Sequence, residues 1–134
     1  DYHGTLTMMG DTLIEGSYTY SNGMTEQVIL RLDGTRRAEY QQKGTEYTEY
    51  TEFHPNGKWS FHAIGSSDSK GDFVSSFDEN GNVTQSQWIS DPLSYIEERR
   101  LKVEDVIEEY TQEILDNWDD SPHSLCKDPD KVIP

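Results

Sequence analysis

The sequence predicts an α+β fold: an antiparallel, curved β-meander of about seven or eight strands, covered by a C-terminal amphipathic helix in one or two pieces. Three features predict it. Four turn dipeptides, Asn22-Gly23, Asp33-Gly34, Asn56-Gly57 and Asn80-Gly81, separate segments rich in Thr, Tyr, Phe, Val and Ile. Such dipeptides supply the positive φ that tight hairpins need. Beyond residue 90 the apolar spacing changes to a helical period. All strand-like segments come before the helical one, which argues for α+β layering and against alternating βαβ units.

The strands are expected at about Leu6–Met9, Thr12–Tyr20, Met24–Leu32, Arg36–Gln41, Glu46–Phe53, Lys58–Ile64, Asp72–Phe77 and Asn82–Ile89. Loop length can be read by asking which register gathers apolar side chains on one face. A three-residue loop, Pro55-Asn56-Gly57, sets Phe53 opposite Trp59 and Thr51 opposite Phe61, with Tyr47 and Ala63 on the same face. The same loop length at Glu79-Asn80-Gly81 sets Phe77 opposite Val83. At Ser21-Asn22-Gly23 it sets Tyr20 opposite Met24 and Ile14 opposite Leu30, with Tyr18 and Val28 on that apolar face. Gly suits the left-handed residue that closes such loops. The segment Gly65–Gly71 reads as a flexible loop.

Ser90 or Asp91 is placed to cap the helix, with Pro92 at its first position. Leu93, Ile96, Val103, Ile107, Tyr110, Ile114 and Trp118 form an apolar stripe, widened by Val106 and Leu115. Arg99-Arg100 interrupts the stripe, so a bend near Leu101–Val103 is an alternative to one continuous helix. The domain is expected to span 1–120, with strands over 6–89 and the helix over 92–118. Residues 121–134, with Pro122, Pro129 and Pro134, read as an extended tail.

The chain has 134 residues, of which 32% are apolar, so the core is thin and a homo-oligomer is an option. Its net charge is −15, from 26 acids against 11 bases. That field disfavours nucleic-acid phosphates and anionic membranes and favours a basic protein partner. Cys126 is the single cysteine, which excludes an internal disulfide. Together with an opening Asp1-Tyr2-His3-Gly4 unlike a secretion signal, this makes a cytoplasmic location the expectation.

No motif for catalysis, a cofactor or a metal stands out. The register above places Tyr50, His62 and Glu52 on one face, where a general acid–base role competes with a solvated cross-strand patch. It also places Glu49 opposite Ala63, on the apolar face. Two binding surfaces are candidates. One is the acidic helix, with Glu104, Asp105, Glu108, Glu109, Glu113, Asp116, Asp119 and Asp120 meeting a basic protein. The other is an aromatic-lined cavity between sheet and helix, built from Tyr47, Glu49, Phe53, Trp59 and Phe61, for a small ligand. The first leads to a non-enzymatic interaction protein. In type, though not in motif, it resembles the small acidic inhibitors of defence nucleases and the immunity proteins of nuclease toxins.

Overall fold

The computed structural model describes residues 2–44, 46–66 and 70–119. The chain divides into two compact units, residues 1–101 and 102–134. Among the described residues the first unit holds eight strands: β1 (Tyr2–Met9), β2 (Thr12–Tyr20), β3 (Met24–Leu30), β4 (Arg36–Lys43), β5 (Tyr47–Phe53), β6 (Trp59–Ser66), β7 (Asp72–Phe77) and β8 (Val83–Ile89). They form one sheet in chain order, and every ladder is antiparallel. This is the expected meander.

The turns form as their residues dictate. Gly23, Gly34, Gly57 and Gly81 close three-residue loops with φ of 88, 91, 90 and 92°. Each glycine N–H donates to the carbonyl three residues earlier, at 2.9–3.0 Å. At each of the four loops an Asn or Asp side chain accepts the N–H two residues on: Asn22 from Met24, Asp33 from Thr35, Asn56 from Lys58 and Asp78 from Asn80. Such contacts fix the turn locally, before any packing.

After three of these loops the ladder slips by one residue. Leu30 pairs with Arg36 but Ile29 with Ala38; Phe53 pairs with Trp59 but Glu52 with Phe61; Phe77 pairs with Val83 but Ser76 with Gln85. Each slip is a bulge, and it moves every later side chain to the other face. Two expectations are corrected by this. Phe61 and Trp59 lie on opposite faces, and Thr51, not Tyr50, is opposite His62. The hairpin at Ser21-Asn22-Gly23 has no slip, and its expected register holds from Glu15↔Ile29 to Thr19↔Thr25. Ile14 of the expected apolar face is fully buried, but the buried β3 residue is Ile29, and Val28 and Leu30 stay half-buried. The core face carries Ile29, Ala38, Tyr40, Tyr50, Phe61 and Ala63, all buried.

Helix α1 (Pro92–Arg99) packs on that face over β6. Asp91 caps it, accepting from the Ser94 N–H at 3.3 Å and the Ser94 hydroxyl at 2.9 Å. Pro92 occupies the first turn and Ile96 is buried. The Tyr95 ring stacks on Phe61, with centroids 6.2 Å apart. Gly65, expected to open a loop, belongs instead to β6, directly under α1. A Cβ at this position would stand 2.9 Å from Leu93 Cδ2 and 3.1 Å from the Leu93 backbone nitrogen. Gly65→Ala is therefore expected to lower stability by about 1–3 kcal/mol by overpacking. Urea unfolding checks this, and an unchanged midpoint would contradict the packing. Ser67, Asp68 and Ser69 of the expected loop lie outside the described residues.

The helix is broken, as Arg99-Arg100 suggested. The Arg100 N–H still bonds the Ile96 carbonyl at 2.8 Å, but Arg100 itself turns extended, with ψ 143°. The next N–H, from Leu101, donates to the Tyr50 hydroxyl at 3.1 Å.

The second unit is described through α2 (Val103–Asp119). Glu104 and Asp105 lie in its first turn, where carboxylates favour the helix dipole. Val106 and Tyr110 are buried. Ile114 and Leu115, expected on the buried stripe, are 41% and 50% exposed. The tail, residues 121–134, with Cys126, lies outside the described residues.

Candidate functional site

A sheet rich in acids and poor in cations must satisfy its half-buried carboxylates in some other way. Here the donor is tyrosine. The hydroxyls of Tyr20, Tyr47 and Tyr50 donate to Glu26, Glu49 and Glu52 at 3.0, 2.7 and 2.7 Å, and Tyr40 donates to the exposed Glu97 of α1 at 2.6 Å. A phenol supplies a strong hydrogen bond to an ion without bringing a charge of its own. This explains why the strands carry so many tyrosines.

The same pairing holds the phenols protonated. Burial, then the hydrogen bond to the adjacent carboxylate, pushes Tyr40 and Tyr47 up to about 12. Tyr50, the most buried of them, is raised further, by burial and then by the Glu52 charge. A phenol pKa raised by folding gives stability that is complete below the unfolded value, near pH 10. That stability is lost as pH rises through the folded value. Tyrosinate absorbance is thus expected to show a class of residues ionising near pH 12, well above the ordinary phenol value. The denaturant midpoint should fall as pH rises from the unfolded phenol value, near 10, through that folded value. A single class near 10 would contradict the Tyr–Glu pairs.

On the sheet face away from α1, Tyr47, Glu49, His62 and Trp59 form a chain of contacts. Glu49 accepts from Tyr47 at 2.7 Å through one oxygen and meets His62 Nε2 at 2.7 Å through the other. The Trp59 ring stacks on the His62 ring at 4.3 Å. Burial acts to raise the Glu49 carboxyl, but the hydrogen bonds from His62 and Tyr47 outweigh it and hold the group below its ordinary value. Glu49 was expected opposite Ala63 on the apolar face; it lies opposite Ile64, and this polar pairing removes the desolvation problem.

A cleft of about 750 Å³ lies on the same face, bordered by Val28, Leu30, Phe53, Pro55, Glu26 and Glu39, with Arg36 among its lining residues. Arg36 bonds Glu39 and lies over the Phe53 ring at 5.6 Å. The loop residue Asn56 is anchored to the Glu79 carbonyl at 2.8 Å, which fixes that wall.

The core face carries a different network. Tyr50 bonds Glu52, and Arg99 bonds the other Glu52 oxygen at 3.0 Å while lying 3.6 Å over the Phe61 ring. Arg100 lies 3.6 Å over the Tyr40 ring and donates to Gln27 at 2.6 Å. Gln27 in turn donates to the buried Glu15 carboxylate at 3.0 Å. Tyr50 and Glu52 are therefore separated from His62 by the thickness of the sheet, because the β5–β6 bulge reverses His62. The arrangement considered for general acid–base work does not assemble.

Of the five residues expected to line a cavity, the structure brings together Tyr47, Glu49 and Trp59. Phe53 borders the neighbouring cleft, and Phe61 is buried on the other face. Against α1 itself a pocket of about 240 Å³ remains, lined by Tyr40, Gln42, Thr48, Leu93, Glu97 and Arg100, with one aromatic ring among them. Sequence reading missed Glu26, Val28, Arg36 and Glu39 as cleft residues. Their signal was the alternation of β3 and β4, once the correct face is known.

Glu104, Asp105, Glu108, Glu109, Glu113 and Asp116 are all exposed on α2. Asp119 ends the helix, and Asp120 lies outside the described residues. Among the described residues no helix is long and apolar enough to cross a membrane. No protein-family model matches the chain, and no curated protein matches it.

Proposed function

We propose that this chain is a small acidic binding protein without enzymatic activity, whose α2 carboxylates engage a basic protein partner. An inhibitor or immunity-type protein for a nucleic-acid-acting enzyme is the kind of role this fits. One observation carries the reading: arginines of the sheet unit are taken up by its own groups, while α2 carries a row of exposed acids, of which Asp116 accepts from Gln112 of the same helix. Arg31 bonds the Arg36 and Phe53 carbonyls, and Arg36 bonds Glu39. Arg99 and Arg100 are held by Glu52 and Gln27 and lie on aromatic rings. On α2, Glu104/Glu108 and Asp105/Glu109/Glu113 repeat at i,i+4. Like charges at that spacing weaken a helix, and a cationic partner relieves the repulsion.

Capture on the immobilised chain at low and high ionic strength tests the reading. One saturable basic protein, retained at low salt and released at high salt, is the expected result. Recovery of no specific basic partner would contradict it.

The open-face cleft favours a second reading, a small-ligand binder. Its apolar wall of Val28, Leu30, Phe53 and Pro55 beside Glu26 suits an organic amine with an apolar body, Glu39 being paired with Arg36. Titration calorimetry with a phenylalkylamine and its alcohol and carboxylate analogues distinguishes this. Heat from the amine alone supports the cleft, and equal or absent heat for all three removes it.

A further inference from the structure

We propose that β8 is a self-pairing edge, through which two copies of the chain join their sheets about a two-fold axis at Ser86. Among the described residues the sheet is a linear order of strands, with β1 and β8 at its two edges. An edge strand presents unpaired N–H and C=O groups, and monomeric proteins normally guard it with charge or proline. In this chain 28% of residues are charged, yet Val83-Thr84-Gln85-Ser86-Gln87-Trp88-Ile89 holds no Asp, Glu, Lys, Arg or Pro. The strand is exposed from Val83 to Trp88, with Val83 57% and Trp88 55% exposed. Phe73, opposite Trp88 on β7, is 57% exposed and meets that ring edge-on at 5.2 Å.

The strand is self-complementary, as a two-fold interface requires. Antiparallel pairing about Ser86 sets Gln85 against Gln87 of the second copy. It sets Thr84 against Trp88 and Val83 against Ile89. Amide meets amide at the centre, and apolar groups meet at both ends. The β7–β8 bulge leaves Thr84 as the extra residue between Val83 and Gln85, so the regular part of the new ladder is Gln85–Gln87, and the Thr84–Trp88 and Val83–Ile89 pairs flank it at each end. Electrostatics selects a second copy over a basic peptide, because β8 offers no carboxylate to hold a cation. Two molecules of charge −15 repel over most of their surfaces, and an uncharged strip allows approach. One strand pair is small beside a standard interface, so the dimer is weak.

Sedimentation velocity over a concentration series tests the proposal. A reversible monomer–dimer equilibrium is expected, and it should tighten as salt rises, because screening weakens like-charge repulsion. Binding of a basic partner has the opposite salt dependence, so the two cannot be confused. Ser86→Lys and Ser86→Glu each place like charges across the axis, and each should weaken the dimer about ten-fold. Circular dichroism confirms that each variant is folded, and Gln87→Lys serves as a further variant on the same strand. A monomer at all concentrations and salts overturns the proposal. So does a dimer strengthened by Ser86→Lys and weakened by Ser86→Glu, since that pattern reports bulk charge alone.

Discussion

Tyr50→Ala is expected to destabilise the sheet unit by about 3–5 kcal/mol, the range for truncating a large buried aromatic side chain. The ring is 1% exposed and contacts Phe61, with centroids 6.2 Å apart. Its hydroxyl donates to Glu52 at 2.7 Å and accepts the Leu101 N–H at 3.1 Å. The side chain thus fills the core face and also satisfies the backbone where the helical segment breaks. Tyr50→Phe separates the two roles. It keeps the ring but leaves Leu101 and Glu52 without that partner, a loss of about 1–3 kcal/mol. Urea unfolding of both variants checks the division. Equal losses would mean that the hydroxyl contributes everything, and no loss in Tyr50→Phe would mean that the hydroxyl contributes nothing.

The strand and turn elements were legible because Asn-Gly and Asp-Gly act locally. Each sets its own turn whatever packs on it, so Asn22, Asn56 and Asn80 located three loops of the right length. The register beyond the loops was not legible. The β5–β6 bulge falls at Trp59-Ser60, where no glycine or other marker stands, and it arises from the way the loop joins a twisted pair of strands. That single slip separated Trp59 from Phe61 and His62 from Tyr50, and with them the candidate sites built on both. Sidedness failed in β3, though Ile14 of β2 is buried as expected, for a related reason. Both residue sets there mix apolar and polar groups: Val28 and Leu30 alternate with Ile29, and Tyr18 with the buried Glu15. The pattern within one hairpin cannot choose a face; the choice is made by Ala38, Tyr40 and Tyr50 on strands farther along.

The helix shows the same division. Asp91 and Pro92 marked its start, and Arg99-Arg100 marked the break, because capping and charge act within one turn. The contact that receives the freed backbone there, the Tyr50 hydroxyl accepting the Leu101 N–H, is long-range, and helical spacing does not encode it. The acids of α2 were legible as residues. Their exposure follows from Val106 and Tyr110, which place the opposite stripe in the buried position.

The second large effect concerns those acids. The variant Glu104→Gln, Asp105→Asn, Glu108→Gln, Glu109→Gln, Glu113→Gln and Asp116→Asn removes six of the 26 acidic residues without changing side-chain size appreciably. Its α2 should be no less stable, since like charges at i,i+4 are removed. Its affinity for a basic partner should fall about 100-fold at low salt, taking roughly half a kcal/mol for each exposed pair. The dependence of affinity on salt should become shallower, because fewer charges are screened. Measuring the dissociation constant of the captured basic protein for the chain and for this variant, across a salt series, tests the central claim most directly. A weaker, less salt-sensitive complex with an intact fold is the expected result. An unchanged dissociation constant and salt slope would contradict the assignment of partner binding to α2.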